Sequence, residues 1–202
     1  MSRLPAVVTG LSLLAACAPG PSFELPPVRI PSMQEFMGVA FPLEAGPYSA
    51  MDTQRYLDPK FGVRIGYLAV GGGDRVDIYV YPATFARGQS ETPLDVDSGL
   101  EEEFKKARAE LRDWAFERRG ATGVRSVSDT TIQVVLGADT LHGLWGDFEI
   151  SRDDQSYMSS LAVFLKDSSF VKARHSVGAD SFETSSETMM DLMREFLGSV
   201  QP

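Results

Sequence analysis

The sequence predicts an α+β domain: a mainly antiparallel sheet with an amphipathic helix on each face, an α/β/α sandwich. Two observations lead there. From residue 63 to residue 177 most segments alternate apolar and polar residues, and short turn signals join them, as in hairpin-linked antiparallel strands. Two other segments, 98–119 and 181–200, repeat apolar residues at helical spacing on one side only. A one-sided helix has to bury its stripe, and a sheet offers one face to each.

The chain begins with the parts of an export signal. Arg3 is the only charge in residues 1–16, residues 4–14 are almost wholly apolar, and the small residues Ala15 and Ala16 precede a cut. The run is too short to cross a bilayer as a helix, which takes about 20 apolar residues. Leu14-Ala15-Ala16-Cys17 resembles the lipobox of bacterial lipoproteins, and Cys17 is the only cysteine. The resemblance implies that the Cys17 thiol receives a diacylglycerol, that the chain is cut just before it, and that the freed amine is acylated, typically with palmitate. One acyl chain binds a membrane marginally, and two or more anchor stably. Ala18 stands where an acidic residue would favour the inner membrane. By analogy with enterobacterial lipoproteins this points to the outer membrane, facing the periplasm. With Cys17 modified no disulfide can form.

Residues 17–33 read as an extended tether. Pro19, Pro21, Pro26, Pro27 and Pro31 fix φ and remove donors. Phe23, Leu25, Val28 and Ile30 are apolar enough that part of it is expected to lie along the domain. The globular domain then spans 34–202, enough for one sizeable core and short for two. Its first stretch, 34–56, is broken by Pro42, Gly46 and Pro47, and only 36–41 reads as a strand.

Asp58-Pro59 opens a turn that Gly62 closes. A hairpin follows, with strands at 63–69 and 75–81 and its tip at Gly71-Gly72-Gly73-Asp74. Val76, Ile78 and Val80 share one face, and Asp77, Tyr79 and Tyr81 the other. Residues 83–97 read as a polar loop. Ser98 to Glu101 then forms a capping box, with Ser98 at the N-cap. Leu100, Phe104, Ala107, Leu111, Trp114 and Ala115 line the first helix. Arg118 and Arg119 suit its C-terminal dipole, and Gly120 stops it.

Beyond it, 123–127 and 130–136 read as two strands separated by a turn at Ser128-Asp129. Further strands at 141–150, 157–165 and 169–177 are joined by turns at 152–155 and 166–168. The last helix buries Phe182, Met189, Met193, Phe196, Leu197 and Val200, with Asp180 or Ser181 as its cap.

The run Tyr56, Asp58-Pro59, Gly62-Val63, Tyr67 and Val76 to Tyr81 resembles the opening hairpin of PsbP-like domains. So does the late segment Phe170-Val171-Lys172-Ala173-Arg174. The resemblance spans residues 56–200 and implies an antiparallel sheet between helices, in a family whose members dock onto larger assemblies. It carries over no functional residue.

The charge is strongly acidic: removing Arg3 with the signal takes the formal balance from −9 to −10. That excludes the basic footprint of a nucleic-acid binder. No catalytic motif appears, and no catalytic, cofactor or metal residue is assigned. Gly71-Gly72-Gly73 is followed by Asp74 and a strand, not by the Lys-Ser/Thr and helix of a phosphate loop, and reads as a hairpin tip. His142 and His175 stand at no metal-ligand spacing; each is expected to be a strand histidine with a hydrogen-bond partner. Glu101-Glu102-Glu103 reads as a negative run at a helix N-terminus. Tyr79, Tyr81 and Trp145 form either an aromatic binding surface or, as expected here, core. Lys172 and Arg174 read as the solvated face of an edge strand. Met189, Met190 and Met193 read as packing.

The expectation for function is a membrane-anchored, periplasm-facing lipoprotein that binds or scaffolds an envelope protein, without catalysis or cofactor. The alternatives are a small envelope hydrolase with a scattered Ser-His-Asp site and a carrier of an apolar ligand between sheet and helix.

Overall fold

The computed structural model describes residues 33–83 and 96–199, within a compact unit running Pro31–Pro202. The export signal, Cys17, the tether before residue 33, the loop 84–95 and Val200 lie outside the described residues. Ten strands and two helices follow in the order β1 (Met33–Phe36), β2 (Val39–Pro42), β3 (Glu44–Ala45), β4 (Tyr48–Arg55), β5 (Val63–Ala69), β6 (Arg75–Pro82), α1 (Val96–Arg119), β7 (Gly123–Leu136), β8 (Asp139–Arg152), β9 (Gln155–Lys166), β10 (Ser169–Gly178) and α2 (Phe182–Ser199). β1 and β2 form a separate hairpin. The other eight strands make one antiparallel sheet in the order β3-β4-β5-β6-β10-β9-β8-β7, and a helix packs on each face. The α/β/α sandwich expected from the sequence is the observed architecture.

The pairing register explains the two cores. Ile65, Ile78, Ala173, Ala162 and Trp145 follow one another across β5, β6, β10, β9 and β8 on the α2 face. Beside them run Val63, Val80, Val171, Phe164 and Gly143. Small residues in mid-sheet let α2 approach. Met189, Leu192, Met193, Phe196 and Leu197 fill the space, all fully buried, so the methionines are packing as expected. At Gly143 the ring of Phe164 occupies the place of a side chain: an added Cβ would lie 2.5 Å from it. On the opposite face Leu100, Phe104, Ala107, Leu111 and Ala115 of α1 pack on Phe148, Ile150, Leu161, Val163 and Phe170. Fully burying a Leu, Ile, Val or Phe side chain among these contributes roughly 1.5–3 kcal/mol.

Several local expectations are corrected. The segment 34–56 holds four strands, not one. Met37 and Gly38 both take positive φ, 57° and 81°, so the chain reverses between β1 and β2 without an Asn-Gly or Asp-Gly signal. The expected turn at Ser128-Asp129 is a β-bulge inside one strand, β7. Val127 is the extra residue, and the register passes from Ser126 opposite Phe148 to Ser128 opposite Asp147. The bulge moves the α1-facing positions from even numbers, Val124 and Ser126, to the odd Asp129. A second bulge, at Met51 in β4, likewise turns Asp52 toward the α1 side.

α1 begins two residues before Ser98, which therefore sits in the first turn and not at the N-cap. Its end is as expected: Gly120 takes φ 65°, and the Ala121 amide donates to the Ala115 carbonyl at 3.0 Å. Neither Asp180 nor Ser181 caps α2, because a 3₁₀ turn, Ala179–Ser181, runs straight into it. Among the described residues no helix is long and apolar enough to cross a membrane.

Candidate functional site

α1 packs mainly against β7, β8 and β9 and meets β6 at Tyr81, which bonds Glu103. Two devices make the β4-β5-β6 side of the same face polar. The bulge at Met51 brings Asp52 over β5, where Gly66 makes room for it: a Cβ there would lie 2.0 Å from the Asp52 carboxylate. Arg64 then donates to Asp52 at 2.7 Å and to Asp77 at 2.6 Å, and Arg75 reaches both acids at 3.0–3.3 Å. Partial burial opposes ionisation of Asp52, but the bonds and charges of Arg64 and Arg75 prevail and hold its pKa below the usual carboxylate range.

The 3₁₀ turn Pro59–Phe61 rises beside this network. Asp58 caps it by accepting from the Lys60 amide at 3.1 Å, and Gly62 closes it with φ 59°. Between the turn and α1 runs a groove of about 480 Å³. Tyr56, Phe61, Tyr79, Tyr81 and Phe170 supply its rings, and Lys60, Lys106, Lys172, Glu103 and Glu110 its charges. Tyr56 and Phe61 meet edge-on at 6.0 Å, and Tyr81 lies 5.8 Å from Phe170. The Tyr81 hydroxyl donates to Glu103 at 2.5 Å. Lys172 bonds Glu110 at 2.7 Å and stands 5.1 and 5.5 Å over the rings of Tyr79 and Tyr81. Burial pushes the Tyr79 phenol up to about 12. Burial and the Glu103 carboxylate raise that of Tyr81 further. Both remain protonated at neutral pH.

The sequence-level aromatic trio is thus divided. Tyr79 and Tyr81 line the groove; Tyr81 is buried in the α1 core against Glu103, as expected, while Tyr79 is only half-buried. Trp145 belongs to the opposite core, where its indole N–H donates to Asp147 at 2.8 Å. Lys172 and Arg174 are not on an edge strand. β10 lies between β6 and β9, and both side chains are half-buried beside α1. Glu103 is more than part of a negative run: it is buried against Tyr81.

The hydrolase alternative needs a histidine joined to a carboxylate and a nucleophile. His142 is exposed on β8, opposite Gln133, on the α1 side of the sheet. His175 is buried on the α2 side, between Val76 and Ser160. The sheet separates the two. Contrary to expectation, neither ring nitrogen of His175 has a hydrogen-bond partner, and burial lowers its pKa. Ser160 and Asp147 stand in the same cross-strand row, but Ser160 donates to Asp147 at 2.8 Å and not to the imidazole. Asp147 also accepts from Ser128 and Trp145. The row is a carboxylate satisfied by three donors beside an unengaged histidine, not a nucleophile–base–acid relay. Among the described residues no three His, Cys, Asp or Glu side chains come together as a metal site requires. The groove has the volume a carrier needs, at least roughly 300 Å³, but its lining mixes rings with five charged side chains and suits a ligand with both characters.

Sequence reasoning found Tyr79, Tyr81 and Lys172 but missed Tyr56, Phe61 and Glu103 as neighbours. The turn signal at Asp58-Pro59 and Gly62, placed between two aromatic residues, is the local trace of that wall.

No family profile matches the chain, and no curated protein matches it in sequence. Solved structures do resemble it. Cyanobacterial PsbP from Synechocystis sp. PCC 6803 superposes with a TM-score of 0.48 at 12% identity, covering 88% of this chain and 98% of that one. LpqN, involved in cell envelope biogenesis of Mycobacterium tuberculosis, gives 0.48 at 12% identity, covering 87% of each chain. The Ran-binding protein Mog1p of Saccharomyces cerevisiae gives 0.45 at 10% identity, covering 85% of this chain and 95% of that one. At these identities the likeness concerns the arrangement of sheet and helices, and it assigns no residue of the groove.

Proposed function

We propose that this protein is a non-catalytic binding module of the bacterial cell envelope, held to the outer membrane by lipid on Cys17 and facing the periplasm, and that its α1 groove receives a segment of an envelope protein. The anchor and its location rest on the Leu14-Ala15-Ala16-Cys17 sequence. The binding role rests on one observation: an open groove in which Phe61, Tyr56 and Tyr79 present rings beside charged groups. Aromatic rings supply large contact area and dominate the energetics of protein interfaces. Phe61 is 47% exposed at the rim, so its ring is available to a partner.

Photo-crosslinking in intact cells tests this. A crosslinker at Phe61 is expected to trap a specific envelope protein, and one at Val135, exposed on the far edge strand β7, is not. Phe61→Ala should weaken recovery of that protein by at least about tenfold, the scale of an aromatic hot spot. Equal trapping from both positions, or none from either, would refute groove docking.

A further inference from the structure

Beyond Lys172 the groove continues into a pocket of about 200 Å³, whose lining includes Tyr79, Leu111, Trp114, Leu161, Lys172 and Arg174. Arg174 stacks there on Trp114, its guanidinium carbon 3.4 Å from the ring centroid. Stacking covers a flat face of the guanidinium and leaves the N–H fork at its edge free to donate. Among the described residues no carboxylate pairs with Arg174 and no acceptor takes its N–H groups. The acids that stand nearest in the fold are already engaged. Asp77, its cross-strand neighbour, holds Arg64 and Arg75, and Glu110 holds Lys172. Arg119 adds a second cation, 4.8 Å from the same indole. The Tyr79 hydroxyl, lining the same pocket, also has no acceptor among the described residues.

A half-buried cation without a counter-ion works against stability. In a protein with a formal net charge of −9, acids to neutralise it are plentiful, yet Glu110, which also lines the pocket, is bonded to Lys172, and Asp77 is bonded to Arg64 and Arg75. Two unengaged donors converge on a space large enough for one small group. We propose that this pocket is an oxyanion subsite, in which the Arg174 fork and the Tyr79 hydroxyl hold a carboxylate or phosphate group. Trp114 fixes the plane of the guanidinium, and Lys172 stands at the mouth. The proposal rests on the α1 groove being a binding site and narrows its ligand to one that carries such a group.

Thermal unfolding of the full mature protein in detergent, with inorganic phosphate or acetate added at ionic strength held constant by chloride, tests it. A ligand bound only by the folded state raises the midpoint in a saturable way. At least one anion is expected to do so in the wild type, and which one separates a tetrahedral from a planar group. Arg174→Gln should weaken the response about tenfold or more, as loss of a charge-assisted pair does. Tyr79→Phe should weaken it several-fold.

The general salting effect of phosphate appears equally in Arg174→Gln and serves as the baseline. Absence of a saturable rise in the wild type with both anions, or an undiminished rise in Arg174→Gln, would overturn the proposal. Should Arg174→Gln not fold, an undiminished response in Tyr79→Phe overturns it alone. A partner trapped at Phe61 with no anion response removes the subsite and leaves groove docking. An anion response with no trapped partner does the opposite.

Discussion

Gly62 holds the outer wall of the groove against the sheet. Its φ of 59° with ψ of −129° is a conformation that residues with a side chain rarely adopt, and an added Cβ would lie 1.9 Å from the Val80 carbonyl oxygen. Gly62→Ala is therefore expected to cost on the order of 3 kcal/mol, read as a lower urea midpoint at unchanged m-value. A midpoint within error of wild type would show that the turn can move away from β6 freely. His175 is the other residue whose position has a measurable consequence. Burial holds its pKa below the ordinary 6.5, with the Asp74 charge acting weakly in the opposite direction. The unfolded chain then binds a proton that the folded chain resists. The associated stability is complete above pH 6.5 and declines as pH falls from there through the folded-state pKa. Urea midpoints followed downward from neutral pH to roughly pH 5, before most carboxylates titrate, should fall for wild type and stay flat for His175→Leu. The same slope in both proteins would place its origin elsewhere.

At the scale of elements, the two helices divide the work of stabilisation. Phe196 is fully buried and meets the ring of Tyr67 edge-on at 6.2 Å. Phe196→Ala should cost about 3–5 kcal/mol through lost burial and the cavity left behind. Phe116, 43% exposed on α1, offers a contrast: Phe116→Ala should change stability by no more than about 0.5 kcal/mol. Comparable losses for the two would mean that α2 does not close the second core. Both helices were legible in the sequence because a 3.6-residue apolar stripe is a local pattern. The hairpins from β5 to β6 and from β8 to β10 were legible for the same reason, at period two. β7 was misread because its bulge shifts the alternation at Val127, and a broken alternation looks like two strands with a turn. β1 to β4 were misread because their turns use Met37-Gly38 and Gly46-Pro47, and β3 has only two residues.

At the scale of the whole molecule, the proposed anchor at Cys17 is expected to be separable from folding. Cys17 precedes the first described strand, β1, by sixteen positions, in a segment whose five prolines read as a tether. Cys17→Ser is expected to move the protein from the membrane fraction to the soluble one without changing its unfolding midpoint. Mass spectrometry of detergent-extracted wild type should find acyl chains on the mature N-terminus, and an unmodified thiol there would refute the anchor.

By itself the sequence determined the layering of sheet and helices and the strand faces of β6 and β10; the proposed anchor at Cys17 likewise rests on sequence alone. These depend on periodicity and short motifs, which are local. Only the tertiary structure decided what each face meets. α1 settles mainly on β7 to β9 and reaches β6 at Tyr81, so Tyr79, Lys172 and Arg174 border a groove, while Trp145, equally apolar in its strand, is sealed beneath α2. Exposure of a strand position depends on which distant element lands on it, and nothing in that strand's own residues encodes where a helix from elsewhere in the chain will come to rest.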